Sequence, residues 1–245
     1  MNADVKSFLA NLKEVNDTNT VSIKVPSTGK KASFTLFNVS QQKQLLRAAF
    51  EGVEGSINQS SIFNSIVQDN CSKEIDFLVS DRAAILIDMR KAVVGNKLTI
   101  GETEYNLNDL AEFDSSEFKT SAEVKSSGVT LKLEVPTLKA DTNINKKMIG
   151  ELSKLTDEKK KVQSIEMVLT YEIVKYISKV SIGSNVIDFA ELSAYERKAV
   201  VNELPLALNN KVITFISDLK ELEAANYTFE DGTVVEIDSG FLNAE

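Results

Sequence analysis

The run Val129-Thr130-Leu131-Lys132-Leu133-Glu134-Val135-Pro136 decides the fold. Val129, Leu131, Leu133 and Val135 alternate with Thr130, Lys132 and Glu134. A period of two places the apolar set on a buried face and the polar set in water, which is a half-buried antiparallel strand. Pro136 has no N–H to give a ladder and stops it.

Downstream, residues 139–147 are polar and predict a loop. Met148, Ile149, Leu152 and Leu155 predict a helix. Val162, Ile165, Leu169, Ile173, Tyr176, Ile177 and Val180 form a long helical stripe, expected to face the core. Ile182 and Val186-Ile187 flank Gly183-Ser184-Asn185 and predict a small hairpin. Ser193-Ala194-Tyr195-Glu196 matches a capping box, so a helix starts there. Leu208, Val212, Phe215, Ile216 and Leu219 follow Pro205 as another stripe. At the end Tyr227 and Phe229, Asp231-Gly232, then Val235 and Ile237 predict a hairpin with a type I′ turn.

Upstream, residues 111–127 are polar and mark a candidate domain boundary. Leu98–Ile100 and Tyr105–Leu107 flank Gly101-Glu102 as a hairpin. Three helices precede it. The first is capped by Ser40 and carries Leu45, Leu46, Ala49, Phe50 and Val53. The second carries Ile62, Phe63, Ile66 and Val67. The third is capped by Ser80, carries Ile85, Leu86, Met89 and Val93, and ends at Gly95. Before them Val21, Ile23 and Val25 alternate, as do Ala32, Phe34 and Leu36, around a Pro26–Lys30 turn. Val5, Phe8, Leu9 and Leu12 open the chain as a short amphipathic helix with a polar Asn16–Asn19 link.

Strands and helices do not alternate as βαβα, so a doubly wound parallel sheet is not expected and the expected fold class is α+β, helical units combined with small antiparallel hairpins. The expected organisation is an N-terminal helix and link (1–18), a hairpin plus three-helix unit (19–110), and a strand, helical bundle and C-terminal hairpin (111–245) that packs alone or against the second unit. No internal repeat of fixed period is visible.

The chain carries a formal charge of -8 and a pI near 4.9, with Lys and Arg scattered along it. Direct nucleic-acid binding usually needs a basic patch, so it is not expected. Lys159-Lys160-Lys161 follows Asp157-Glu158 and reads as a solvated helix start. No apolar run approaches the roughly 20 residues that span a bilayer, and the N-terminus lacks a signal peptide's features. A cytoplasmic protein with no membrane partner is the expectation.

With no histidine and a single cysteine, Cys71, Ser-His-Asp and Cys-His catalysis are out, as are histidine and multi-thiolate zinc sites. Thr28-Gly29-Lys30 resembles the end of a phosphate loop. Lys24 stands where the first glycine belongs, however, and Lys31 where Ser or Thr belongs. Asp76, Asp81 and Asp88 are candidate acid–base carboxylates, with structural roles the ordinary reading: Asp81 complements a helix dipole. No catalytic residue, cofactor, metal or small-molecule substrate is expected. The candidate partner-binding residues are Val5, Phe8, Leu9 and Leu12, a detachable apolar helix face suited to a partner's groove.

The segment Pro26 to Gly95 resembles the baseplate hub assembly proteins of T-even-type contractile-tailed bacteriophages. A Pro-x-Thr-Gly-Lys-Lys hairpin leads into Phe34-Thr35-Leu36-Phe37-Asn38-Val39. A helix with Gln42-Lys43-x-Leu45-Leu46 follows, then an Ile-rich helix ending in Asn70-Cys71. Asp81 opens a helix closing with Met89-Arg90-Lys91 and Gly95. The second half is similar to the family through the strand ending in Pro136, Tyr176-Ile177-x-x-Val180, the capped helix Leu192–Leu204, Phe215-Ile216 and the Gly240-Phe241-Leu242 tail. The chain departs from relatives that carry cysteines around the last turn, having Phe229 and Asp231-Gly232 there. The resemblance implies a late, non-enzymatic protein of the host cytoplasm that binds baseplate hub proteins during tail assembly. The alternative it leaves is a permanent structural part of the virion's baseplate or tail.

Overall fold

The computed structural model describes residues 2–111 and 119–242. Helix α1 spans Ala3–Thr18 and is N-capped by Asn2, whose side chain accepts the Asp4 amide at 3.2 Å. It runs into strand β1 (Thr20–Lys24) through Asn19 alone, so the Asn16–Asn19 link is mostly helix. β1 pairs antiparallel with β2 (Lys31–Thr35), Val21 facing Phe34 and Ile23 facing Ala32. Helix α2 (Val39–Ala48) is capped by Asn38, not by Ser40. The Asn38 side chain accepts the Gln41 amide and the Gln41 side chain accepts the Asn38 amide, a reciprocal arrangement that Ser40, already helical, has no place in. Helix α3 (Gly52–Asn70) follows closely. A Cβ on Gly55 would sit 2.1 Å from the Ala48 carbonyl oxygen, so only glycine lets the two helices approach there. Phe50, expected on the apolar face, is 89% exposed because α2 ends just before it.

A 3-10 turn at Val79–Asp81 precedes α4 (Arg82–Val93), so Ser80 lies inside the turn and is no cap. The hairpin β3 (Lys97–Ile100) and β4 (Thr103–Asn106) follows. The expected boundary at 111–127 overlaps a strand. Residues 112–118 lie outside the described residues, but Ser121–Ser126 is β5, pairing along β6 (Val129–Glu134). Its alternation is weak because only Ala122 and Val124 turn inward.

Residues 139–147 are not a loop. They belong to α5 (Leu138–Leu152), N-capped by Thr137. Asp141, Thr142 and Asn145 make the segment look solvent-loving, yet all three are buried. Helix α6 (Asp157–Tyr176) passes directly into β7 (Ile177–Ile182), so Ile177 and Val180 are strand residues rather than the end of the helical stripe. A register shift against β6 at Lys132/Leu133 lets both face the core. β8 (Asn185–Asp188) completes a sheet of order β5-β6-β7-β8. The capping box at Ser193 opens α7 (Ala194–Asn202), and α8 (Leu206–Ala225) follows. The C-terminal hairpin closes by Phe229 N–H to Thr233 O and Gly232 N–H to Phe229 O. That is a three-residue loop with Gly232 at φ 85°, not the two-residue type I′ turn.

Two apolar clusters hold these elements. The first centres on Phe34, Leu45, Phe77, Leu86 and Met89 and takes in Phe229, Val235, Phe241 and Leu242 from the C-terminus. The second centres on Leu131, Leu133, Tyr171, Phe189, Leu208 and Val212. Each such side chain, fully buried, contributes about 1.5–3 kcal/mol. Backbone bonds join the clusters: Val79 N–H to Pro136 O at 3.0 Å and Leu138 N–H to Phe77 O at 2.8 Å. Arg90 is fully buried and ties the C-terminus down, its Nε donating to the Phe241 carbonyl at 2.8 Å. The α+β class is as expected.

Candidate functional site: an exposed apolar helix and groove

The carboxylates hold structure together. Asp81 accepts the Ser27 amide at 2.7 Å, the Ser27 hydroxyl at 2.8 Å and the Leu78 amide at 2.8 Å, pinning the Pro26–Lys30 turn to the start of α4. Burial pushes its carboxyl up against those three donors. The Thr28-Gly29-Lys30 segment is thus a turn between strands, held by an acid. Asp76 is exposed, and Asp88 pairs with Lys91 at 3.2 Å.

Asp141 is the hub of a buried polar network. It accepts from Asn64 at 2.8 Å and Asn145 at 3.1 Å, and Lys175 lies 2.7 Å away. Arg82 donates to Ser60 at 2.7 Å and to Asn64 at 2.9 Å, completing a bridge between α3, α4 and α5. Burial raises the Asp141 carboxyl, but Lys175, Arg82 and the Asn64 bond outweigh it and hold it below the ordinary range. Glu172 is likewise raised by burial and pulled lower by Lys175 at 3.3 Å and Lys220 at 2.9 Å. Glu223 has less help: burial dominates over Arg82 and Lys220, with Glu172 and Asp81 adding repulsion, and its carboxyl is pushed up to about 7. Asp141, Lys175, Glu172 and Lys220 satisfy one another across helices, as buried charges must. Among the described residues no cluster of His, Cys, Asp or Glu is placed to hold a metal ion. No helix among them is long and apolar enough to cross a membrane.

The candidate partner-binding residues Val5, Phe8, Leu9 and Leu12 all lie exposed on α1, Phe8 at 65%. Val15 extends their stripe, at the i+3 step from Leu12 that the shorter helix reading missed. The helix touches the rest of the chain chiefly at β2. No core covers the stripe, and an isolated helix of this length is marginal in water.

A second apolar surface was not anticipated. Ile165 and Leu169 were expected in the core but are 69% and 60% exposed. Helix α6 carries apolar residues around more than one face: Tyr171 and Val174 are buried, while Leu169 and Ile173 line a groove of about 520 Å³ against Leu206 and Ile213 of α8. Glu166, Glu172 and Lys220 stand around the groove. The available signal was a second apolar set, Met167, Val168, Tyr171 and Val174, on the side of α6 opposite the stripe, since one buried helix face takes only part of the circumference.

No curated protein matches the chain, and neither does any solved structure. The family described as T4 bacteriophage base plate protein matches residues 18–230, from the end of α1 to the last hairpin. The match spans every element from β1 to α8, the whole second cluster and the first cluster as far as Phe229. The chain therefore belongs to the T4 bacteriophage base plate protein family.

Proposed function

We propose that this protein is a baseplate hub assembly factor. It carries out no reaction of its own, binds hub subunits in the host cytoplasm, and presents them for tail assembly. Membership of the base plate family supports a baseplate role with baseplate proteins as partners. The observation that carries the finer reading is α1: a helix outside the matched region, with Val5, Phe8, Leu9, Leu12 and Val15 open to solvent on one side. An apolar helix face without a core to join is suited to a groove on another protein. The acidic surface, net charge -8, discourages unwanted contacts with other acidic chains. The engaged state of Asp81, Asp141 and Glu172, each bound to donors of its own fold, supports contact rather than catalysis.

The test uses tagged full-length protein in infected cells. Co-purification of a hub subunit, lost on Phe8→Asp with the melting temperature unchanged, is the expected result. Undiminished capture by the Phe8→Asp protein would remove α1 from the mechanism. Stoichiometric protein in purified virions would replace the assembly factor with a permanent baseplate component.

A further inference from the structure

One carboxyl of the buried polar network has no partner. Lys175 lies 2.7 Å from Asp141 and 3.3 Å from Glu172, Lys220 lies 2.9 Å from Glu172, and Arg82 lies 3.9 Å from Asp141. Asp81 is held by neutral donors, the Ser27 and Leu78 amides and the Ser27 hydroxyl. Among the described residues, then, the carboxylates Asp81, Asp141, Glu172 and Glu223 stand against Arg82, Lys175 and Lys220, one positive charge short. Glu223 is the one left over. Its side chain accepts no hydrogen bond there, and only burial and the fields of Arg82, Lys220, Glu172 and Asp81 act on it. It lies in the last turn of α8, where a helix dipole favours a cation, and that turn carries no basic residue.

Glu223 lines a cleft of about 270 Å³ formed by α3, α4, α8 and the C-terminal hairpin. Two further acceptors line it, the Tyr227 hydroxyl and the Gln59 side-chain amide, and neither has a hydrogen-bond partner among the described residues. Phe63, Leu86 and Ile237 form its apolar side. We propose that this cleft takes the ammonium group of a lysine side chain from a partner protein, with Glu223, Tyr227 and Gln59 as its acceptors. An ammonium is a compact charge with three donors, one for each acceptor. A guanidinium brings five donors in a rigid plane, more than these groups can take. The lysine methylenes lie along the apolar side, as such stems do on apolar surface. Arg82 stands on the same cleft, but its Nη1 is turned to Ser60 and Asn64, and Asp141 offsets its charge. Ser56 at the rim is exposed, so the chain that carries the lysine stays outside. A proton is the competing occupant. Burial pushes the Glu223 carboxyl up to about 7, so below that value the site is neutral and above it the site calls for a cation. That the lysine belongs to a baseplate protein rests on the proposed function. The ammonium site itself does not.

The probe is Nα-acetyl-lysine N-methylamide, titrated into the full chain at pH 8 and read by carbon-13 NMR of the Glu223 carboxyl and the Ile237 methyls. Saturable shifts at millimolar probe are expected, with binding about tenfold weaker at pH 6, where most of the Glu223 carboxyl holds its proton. The norleucine analogue, which keeps the stem and lacks the ammonium, should bind about tenfold more weakly or worse. Glu223→Gln, which removes the ionisation and keeps the shape, should lose the Ile237 response, and Tyr227→Phe should weaken it about threefold to tenfold. n-Butylamine should bind about as well as the capped lysine. Much tighter binding of the free amine would mean that the chain flanking a lysine is turned away, and would overturn a partner's side chain as the occupant. Absence of the shifts at tens of millimolar probe, equal binding of the norleucine analogue, an undiminished response in Glu223→Gln or equal affinity at pH 6 and pH 8 overturns the site. A hub subunit that binds through α1 while Glu223 stays silent leaves the proposed function intact and removes this site alone.

Discussion

Replacing Glu223 by glutamine should stabilise the protein at pH 8 and leave it nearly unchanged at pH 4. The carboxyl titrates at about 7 in the folded chain because burial outweighs its attraction to Arg82 and Lys220. Unfolded, it titrates near 4.3. The folded state therefore holds its proton more tightly. This contribution is fully present below the unfolded value and is lost as pH rises through about 7. A tenfold difference in proton affinity is worth about 1.4 kcal/mol, so the loss between pH 4 and pH 8 is at most about 3–4 kcal/mol. Asp141 and Glu172 are held low, and their contributions are lost only as the medium becomes more acidic than the ordinary carboxylate range. Above the ordinary carboxylate range the raised carboxyls, Glu223 and Asp81, carry the pH dependence, and only Glu223 differs between the two proteins. Glutamine keeps the shape and removes the ionisation. Urea unfolding at pH 4 and pH 8 measures it: near-identical midpoints at pH 4, and a variant more stable by about 3 kcal/mol at pH 8. A Glu223→Gln protein no more stable than the parent at pH 8, or one offset equally at both pH values, would refute the reasoning. Either result would mean that Glu223 reaches enough water, or enough of Arg82, to ionise freely.

Asp141→Ala leaves Lys175 buried without its closest carboxylate and takes away the shortest of the bonds that Asn64 donates, and should cost about 3–5 kcal/mol in urea unfolding. Leu169→Asp, at an open groove wall, should cost less than about 1 kcal/mol, whereas Phe34→Ala in the first cluster should cost about 3–5 kcal/mol; equal losses in thermal melts would contradict the assignment of Leu169 to the surface. Deleting residues 2–17 should change unfolding free energy by no more than about 1 kcal/mol, because the apolar side chains of α1 face water. A larger loss by calorimetry would place the helix in the core.

Periodicity by itself determined much of this protein. The β6 alternation, the hairpins around Gly29, Gly101 and Gly183, the α8 stripe and the Ser193 capping box are local patterns, each enforced by which atoms face water or complete a backbone bond within a few residues. The Val5–Leu12 face was legible for the same reason. Tertiary structure alone decided the rest. Asp141, Thr142 and Asn145 read as a loop because a polar residue carries no sign of the partner that will bury it, and Asn64 and Lys175 lie far away in sequence. Ile165 and Leu169 read as core because spacing gives a face, not what stands opposite it, and α8 covers only part of α6.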